Sequence, residues 1–179
     1  MSITPIDLRV ADKTGFPEMV DVMDAGTRSA LMSRIQAKNT KPELIVRRQL
    51  WRYGYRFHLH GRKLPGKPDI VLPKWKAVVF VHGCFWHRHE GCPHFRLPKT
   101  RTQFWDDKLR RNRERDTAAV VALGEMHWRV AIVWECSIRA NHIAAVEQLS
   151  TWLRAGSGSM QIEVLDGVMV QEPIPTATG

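Results

Sequence analysis

The chain has 179 residues, a length suited to one domain, and 44% of them are hydrophobic, so neither wholesale disorder nor a fibrous repeat fits. Lysine and arginine number 27 against 18 aspartates and glutamates, a net charge of +9 that favours an anionic partner, nucleic acid or a membrane surface. The longest apolar run, Ala118 to Leu123, is too short to span a bilayer, and the N-terminus lacks a secretory-signal layout, which points to the cytosol.

Residues 1–24 have no periodicity and read as a flexible arm, and a short helix is expected over Thr27–Gln36. Thr40-Lys41-Pro42-Glu43 is a capping-box pattern that opens a helix ending near Gly54, with Val46, Leu50 and Tyr53 on its burial face. Arg47, Arg48 and Arg52 project elsewhere, to solvent or phosphate. Asp69–Leu72 and Ala77–Val81 read as strands joined by the turn Pro73–Lys76. A longer helix is expected from Thr102 to Leu123, stopped by Gly124, with Leu109, Asp116, Val120 and Leu123 on one face. Trp128–Trp134 reads as a buried central strand, and Ile143, Val146, Leu149 and Leu153 mark a last amphipathic helix. Residues 156–179 read as a linker, a short strand over Gln161–Leu165 and a disordered tail. The order implies an α/β domain over 25–155, with a mixed sheet.

Four of the eight histidines and two of the three cysteines fall between His82 and His94. Cys84-x4-His89-x2-Cys92 supplies three metal donors, and Cys136, just after a strand, would complete a Cys3His tetrahedron typical of structural zinc. His82, His87 and His94 compete with His89 for the histidine position, and spacing alone leaves that choice open. An odd number of cysteines in a reducing compartment argues against a disulfide framework.

Asp69 follows the turn Pro65-Gly66-Lys67-Pro68 at the mouth of an apolar strand. It either caps that turn or holds a hard cation such as magnesium. Phe85-Trp86 either covers a zinc site or stacks on nucleobases. The basic run Lys108–Arg115 is either a solvated helix face or a phosphate contact.

Thr27-Arg28-Ser29, Met32, Ile35, Pro65–Asp69, His82–His87, Thr100-Arg101-Thr102, Phe104-Trp105, Glu114-Arg115-Asp116 and Trp128–Cys136 together resemble the very-short-patch repair (Vsr) endonucleases. The resemblance runs over about 21–139 and more weakly to Leu153. It implies a restriction-endonuclease-like fold: a central mixed β-sheet flanked by helices, with a structural zinc site. It implies a magnesium-dependent nick in double-stranded DNA 5′ of the thymine in a T:G mismatch, the product of 5-methylcytosine deamination.

By position the resemblance makes Asp69 the magnesium ligand, joined by the backbone carbonyl of Val81, and His87 the group that activates water. His82 and Asp116 become supporting active-site groups, and Glu43 a further acidic position. Cys84, His89, Cys92 and Cys136 become the zinc ligands, although the loop between His89 and Cys92 is one residue longer than the family pattern. Met32, Phe85 and Trp86 become residues that insert beside the mismatch. A monomer working at the nucleoid, with a further repair protein as partner, completes the expectation. The rival readings are a zinc-containing module that binds distorted DNA without cutting it, and a less mismatch-selective defence nuclease.

Overall fold

The structure is a computed structural model that describes residues 38–155 and 157–174. The expected N-terminal arm, the Thr27–Gln36 helix and Met32 lie outside the described residues. The elements are α1 (Lys41–Arg52), β1 (His58–Leu59), β2 (Ile70–Leu72), a 3-10 turn (Pro73–Trp75), β3 (Ala77–His82), α2 (Thr102–Glu125), β4 (Arg129–Trp134), α3 (Glu135–Ala155), β5 (Met160–Leu165) and β6 (Val168–Pro173). The strands form one six-stranded sheet in sequential order. β1–β2–β3 and β5–β6 pair antiparallel, while β3–β4–β5 pair parallel across the α2 and α3 crossovers. This is the mixed α/β sheet of a restriction-endonuclease-like fold.

Period-two alternation sends each strand's side chains into two cores. Ile70, Leu72, Val79, Val81, Ala131 and Val133 pack with Val46 and Leu50 of α1 and Leu149 and Leu153 of α3. Val78, Phe80, Val130 and Ile132 pack with Val120 and Leu123 of α2, and the three cysteines belong to that second core. The central strands β3 and β4 are thus covered on both faces, which explains their near-continuous apolar runs.

Thr40 caps α1 as expected, its hydroxyl accepting from the Glu43 N–H while the Glu43 carboxylate accepts from the Thr40 N–H. Two expectations on that helix change. Tyr53 is exposed and Tyr55 is buried instead, with its hydroxyl 2.8 Å from Ser150 Oγ. Arg47 faces neither solvent nor phosphate: it is buried, 2.6 Å from both Glu43 and Asn39, because a carboxylate on the same helical turn compensates its charge.

Helix α2 runs through Gly124 to Glu125, and the chain reverses at His127, whose φ is 59°. Helix α3 is two helical pieces joined at Asn141, whose side chain caps the N–H groups of Ile143 and Ala144 at 3.1 Å each. Ile143 itself is exposed. β6 occupies part of the segment expected to be an irregular tail. The turn Asp166-Gly167, with φ of 49° and 79°, folds it back on β5 as a two-residue hairpin, which those two residue types favour.

The loop into Asp69 is held tightly. Gly66 has φ +68°, and a Cβ there would lie 2.7 Å from Ala119 Cβ and 3.0 Å from the Phe80 ring. Glycine lets this loop press against α2 and β3, which fixes the start of β2. Among the described residues, no helix is long and apolar enough to cross a membrane.

Candidate active site and metal centre

Asp69 immediately precedes β2, and β3 runs antiparallel beside it. The Asp69 carboxylate accepts the Val81 N–H at 2.8 Å, so it bonds across to β3 rather than only capping its own turn. Burial, with the nearby charge of Glu43, pushes its pKa up to about 6 against the bonding from Val81. A half-buried carboxylate is the hard oxygen donor that a divalent cation such as magnesium takes. Glu43 reaches this neighbourhood from α1 while also serving its cap and pairing with Arg47.

One residue on from Val81, at the same end of β3, His82 is buried and its ring stacks on His87 with centroids 3.7 Å apart and planes 7° from parallel. Asp116 of α2 lies 2.6 Å from His87 Nδ1. A carboxylate only accepts, so Nδ1 carries the hydrogen and the lone pair sits on Nε2. Burial first, then the charges of His87 and His89, hold His82 well below its ordinary pKa, so it stays neutral beside His87. His82, His87 and Asp116 have donor atoms within 4.8 Å of one another. The two rings are stacked face to face, however, an arrangement that suits proton transfer along the His87–Asp116 pair better than chelation of one ion by both rings. A cavity of about 340 Å³ runs from these three residues to His89 and Glu163, floored by Trp134 and Ile132.

The loop after β3 brings Cys84, His89 and Cys92 together with Cys136 of α3, all buried, with donor atoms within 4.8 Å of one another. His89 Nδ1 lies 3.7 Å from Cys136 Sγ. Donors on one tetrahedral zinc ion would stand roughly 3.6 Å apart, so the spacing fits a metal such as zinc. Hydrogen bonding from the Cys84 thiol outweighs burial and, with help from His89, holds the Cys136 thiol down at about 4, while the same bond pushes Cys84 up. Without a cation the cluster keeps one thiolate; a dication would favour all three. His89 therefore takes the histidine position left open by spacing, while His94 is exposed.

Sequence reading missed Glu163 of β5, which is buried with Oε2 2.5 Å from His89 Nε2. That bond turns Nδ1 toward the thiols, the usual way a carboxylate orients a metal-binding imidazole. Nothing local in the sequence marks it, since 74 residues separate the pair. Trp134, stacked on His89 at 3.9 Å, is the ring that covers the cluster.

Phe85 and Trp86 do something else. They pack edge-on with each other at 5.1 Å and with Trp105 at 5.5 and 6.1 Å, and all three rings are only partly buried. Lys108 Nζ lies over Trp86 and Trp105 at 5.6 and 5.2 Å, and Asn112 Nδ2 donates to the Trp86 carbonyl at 3.0 Å. The quoted pair Phe104-Trp105 was the available signal for this extension of the aromatic group.

Comparison with known proteins agrees with this arrangement. Residues 20–93 match the family model described as DNA mismatch endonuclease Vsr. The DNA mismatch endonuclease Vsr of Escherichia coli K12 is 40% identical over 81% of this chain and 95% of its own length. The type II nicking enzyme V.XorIIP of Xanthomonas oryzae pv. oryzae is 48% identical over 67% of this chain and 88% of its own. V.NmeAIP of Neisseria meningitidis, also a type II nicking enzyme, is 40% identical over 76% of this chain and 96% of its own. By sequence, the chain belongs to the DNA mismatch endonuclease Vsr family.

Proposed function

We propose that this protein is a magnesium-dependent endonuclease that nicks double-stranded DNA 5′ of the thymine in a T:G mismatch, the lesion left by deamination of 5-methylcytosine. The observation that carries the chemistry is the His87–Asp116 contact of 2.6 Å, within a family of DNA mismatch endonucleases. Asp116 fixes the His87 tautomer, and Nε2 takes the proton from the attacking water as general base. His82, neutral and stacked on His87, keeps a second positive charge away from the base and buttresses its ring.

Asp69 and the Val81 carbonyl would hold magnesium, with Glu43 as a further nearby acid. Magnesium supplies positive charge to the scissile phosphate and to the leaving 3′ oxygen. Products then carry a 5′-phosphate and a 3′-hydroxyl. Cys84, His89, Cys92 and Cys136 would hold a structural zinc ion; four protein donors leave no open position for substrate.

Phe85 and Trp86, with Met32 from the N-terminal region, act as the wedge at the mismatch. A wobble pair stacks less well than its neighbours, so parting that step costs less there than elsewhere in the duplex. We place the protein in the cytoplasm at the nucleoid, acting as a monomer and handing the nick to other repair proteins.

The test is a labelled duplex with one T:G pair in varied flanks, incubated with the protein and magnesium beside a matched duplex and the Asp69→Ala variant. A single nick 5′ of the mismatched thymine, absent from both controls, is the expected result. Binding without cutting in every flank would replace the enzyme with a recognition module, and equal cutting of matched DNA would make it a less selective nuclease.

A further inference from the structure

The positive charge of this chain is not spread evenly. Lys38 to His89 holds twelve lysines and arginines against two acids, an excess of +10, while the rest of the chain has fifteen against sixteen and nets −1. The two acids in that segment, Glu43 and Asp69, are both turned inward, and Glu43 is already paired with Arg47. The basic run on α2 is the more conspicuous one in the sequence, yet two of its arginines, Arg110 and Arg113, are ion-paired. Arg110 pairs with Asp107 and Glu114, Arg113 pairs with Glu90, Arg115 bonds Asn112, and Lys108 lies over aromatic rings.

Along α1, Arg48 and Arg52 are exposed one turn apart and have no ion-pair partner among the described residues. Trp51 stands between them, 57% exposed, with the Arg56 guanidinium 4.2 Å over its ring and Phe57 edge-on at 6.4 Å. β1 follows as the sheet's edge strand, exposed at both residues, and leads to Arg62 and Lys63. The His60 N–H donates to the Asp69 carbonyl at 3.3 Å, which ties this return segment to the start of β2. Burial and then the charges of Arg47, Lys38 and Arg62 lower the His60 pKa against the opposing charge of Glu43.

We infer that the face formed by Arg48, Trp51, Arg52, Arg56, Arg62 and Lys63 is a docking surface for the phosphates of duplex DNA flanking the nick. This rests on the DNA-nicking reading and adds to it where the duplex arm lies. Val46 and Leu50 of α1 pack in one core with Ile70, which follows Asp69, so the helix that carries Arg48 and Arg52 lies against the strand that Asp69 opens. The twelve residues of α1 span roughly 18 Å, the length of about five base pairs. The exposed guanidinium groups of Arg48 and Arg52 on a rigid helix match a repeating phosphate backbone, and the Trp51 ring under Arg56, just beyond the helix, holds a third ready without neutralising it. A duplex is the occupant that fits, since the face offers exposed guanidinium groups around an exposed aromatic ring, donors suited to a phosphate backbone.

The test measures duplex affinity against salt for the wild type, the Arg48→Gln/Arg52→Gln/Arg56→Gln triple variant, and a control triple variant, Arg110→Gln/Arg111→Gln/Arg115→Gln. Each lost phosphate contact lowers the slope of log affinity against log salt by about 0.9, so the α1 variant should lose roughly 2 to 3 from that slope. Its affinity should fall about tenfold on matched and mismatched DNA alike, with less change in the control. Shortening one duplex arm by about five base pairs should weaken the wild type and leave the α1 variant unaffected. An unchanged slope, or an equal loss in the control, overturns the proposal while leaving the nicking reading intact. Wild-type protein that binds no duplex overturns both. Vesicles of phosphatidylserine and phosphatidylcholine serve as a second anion: binding them through these arginines, with DNA affinity unmoved, would also overturn it. Should the triple variant be poorly folded by thermal melting, the Arg48→Gln/Arg52→Gln pair gives the same reading with a proportionately smaller slope change.

Discussion

Asn112 and Asp116 stand four residues apart on α2 and hold consecutive residues of the loop that leaves β3. Asn112 Nδ2 donates to the Trp86 carbonyl at 3.0 Å, and Asp116 Oδ2 accepts from His87 Nδ1 at 2.6 Å. One helical turn therefore fixes both the aromatic residue assigned to the mismatch and the base assigned to the water. A rigid element that supports two neighbouring functional groups keeps their relative placement even when the loop meets DNA.

Replacing Asp116 with Asn tests the second of those contacts. The imidazole loses a charged partner that can only accept, and an amide that can also donate no longer fixes the tautomer, so nicking should slow by roughly 10²- to 10³-fold under single-turnover conditions. Duplex affinity should stay within about threefold, because Asp116 is assigned no contact to DNA. A variant that nicks at the wild-type rate would remove Asp116 from the proton-transfer pair.

Asp69 makes the metal-free protein less stable in mild alkali than in acid. Its pKa is raised in the fold from 3.8 to about 6, so its favourable contribution is full below 3.8 and is lost as pH rises through about 6. Asp69→Asn keeps an acceptor for the Val81 N–H and carries no charge to bury. In chelator-treated protein at pH 8 it should be more stable than wild type by roughly 2 kcal/mol, with the gap closing toward pH 4. Urea melts at the two pH values read this directly, and a gap that widens in acid would contradict it.

The Cys3His cluster should retain zinc through purification, at one ion per chain. Glu163→Gln keeps the volume but weakens the grip on His89, so a chromogenic chelator should strip the metal about 10- to 100-fold more readily. Cys136→Ser removes a donor and should lower both zinc content and thermal stability. Zinc content unchanged in the Cys136→Ser variant would take that residue out of the ligand set.

Trp86→Ala should reduce the preference for mismatched over matched duplex, since it removes a ring from the wedge. Arg111→Ala, on the exposed face of α2, should leave that preference alone. Measured dissociation constants on the two duplexes give both ratios, and equal, uniform weakening by the two substitutions would dismiss the wedge.

Much of the frame is local and therefore legible along the chain. Thr40 and Glu43 determine where α1 starts, because capping acts over three residues. The apolar runs in β3 and β4 announce strands covered on both faces, and the Cys84–His89–Cys92 spacing announces a metal loop. Asp166-Gly167 carried the β5–β6 turn in plain view, although only its first strand was expected.

What the tertiary structure alone decides is which groups compensate which. Glu163 meets His89 across 74 residues with no period or motif to foretell it, and Asp116 meets His87 across 29, a contact that the motifs carrying the two residues do not themselves specify. The same holds for charge. Arg47 and Arg48 are neighbours in sequence, yet one is buried against Glu43 and the other is exposed. On α2, Arg110 and Arg113 are paired with Glu114 and Glu90, while on α1 Arg48 and Arg52 have no ion-pair partner among the described residues. Sequence fixes the sign of each group, but electrostatic energy depends on the distance to a partner and on the solvent between them, and those exist only once the chain has packed.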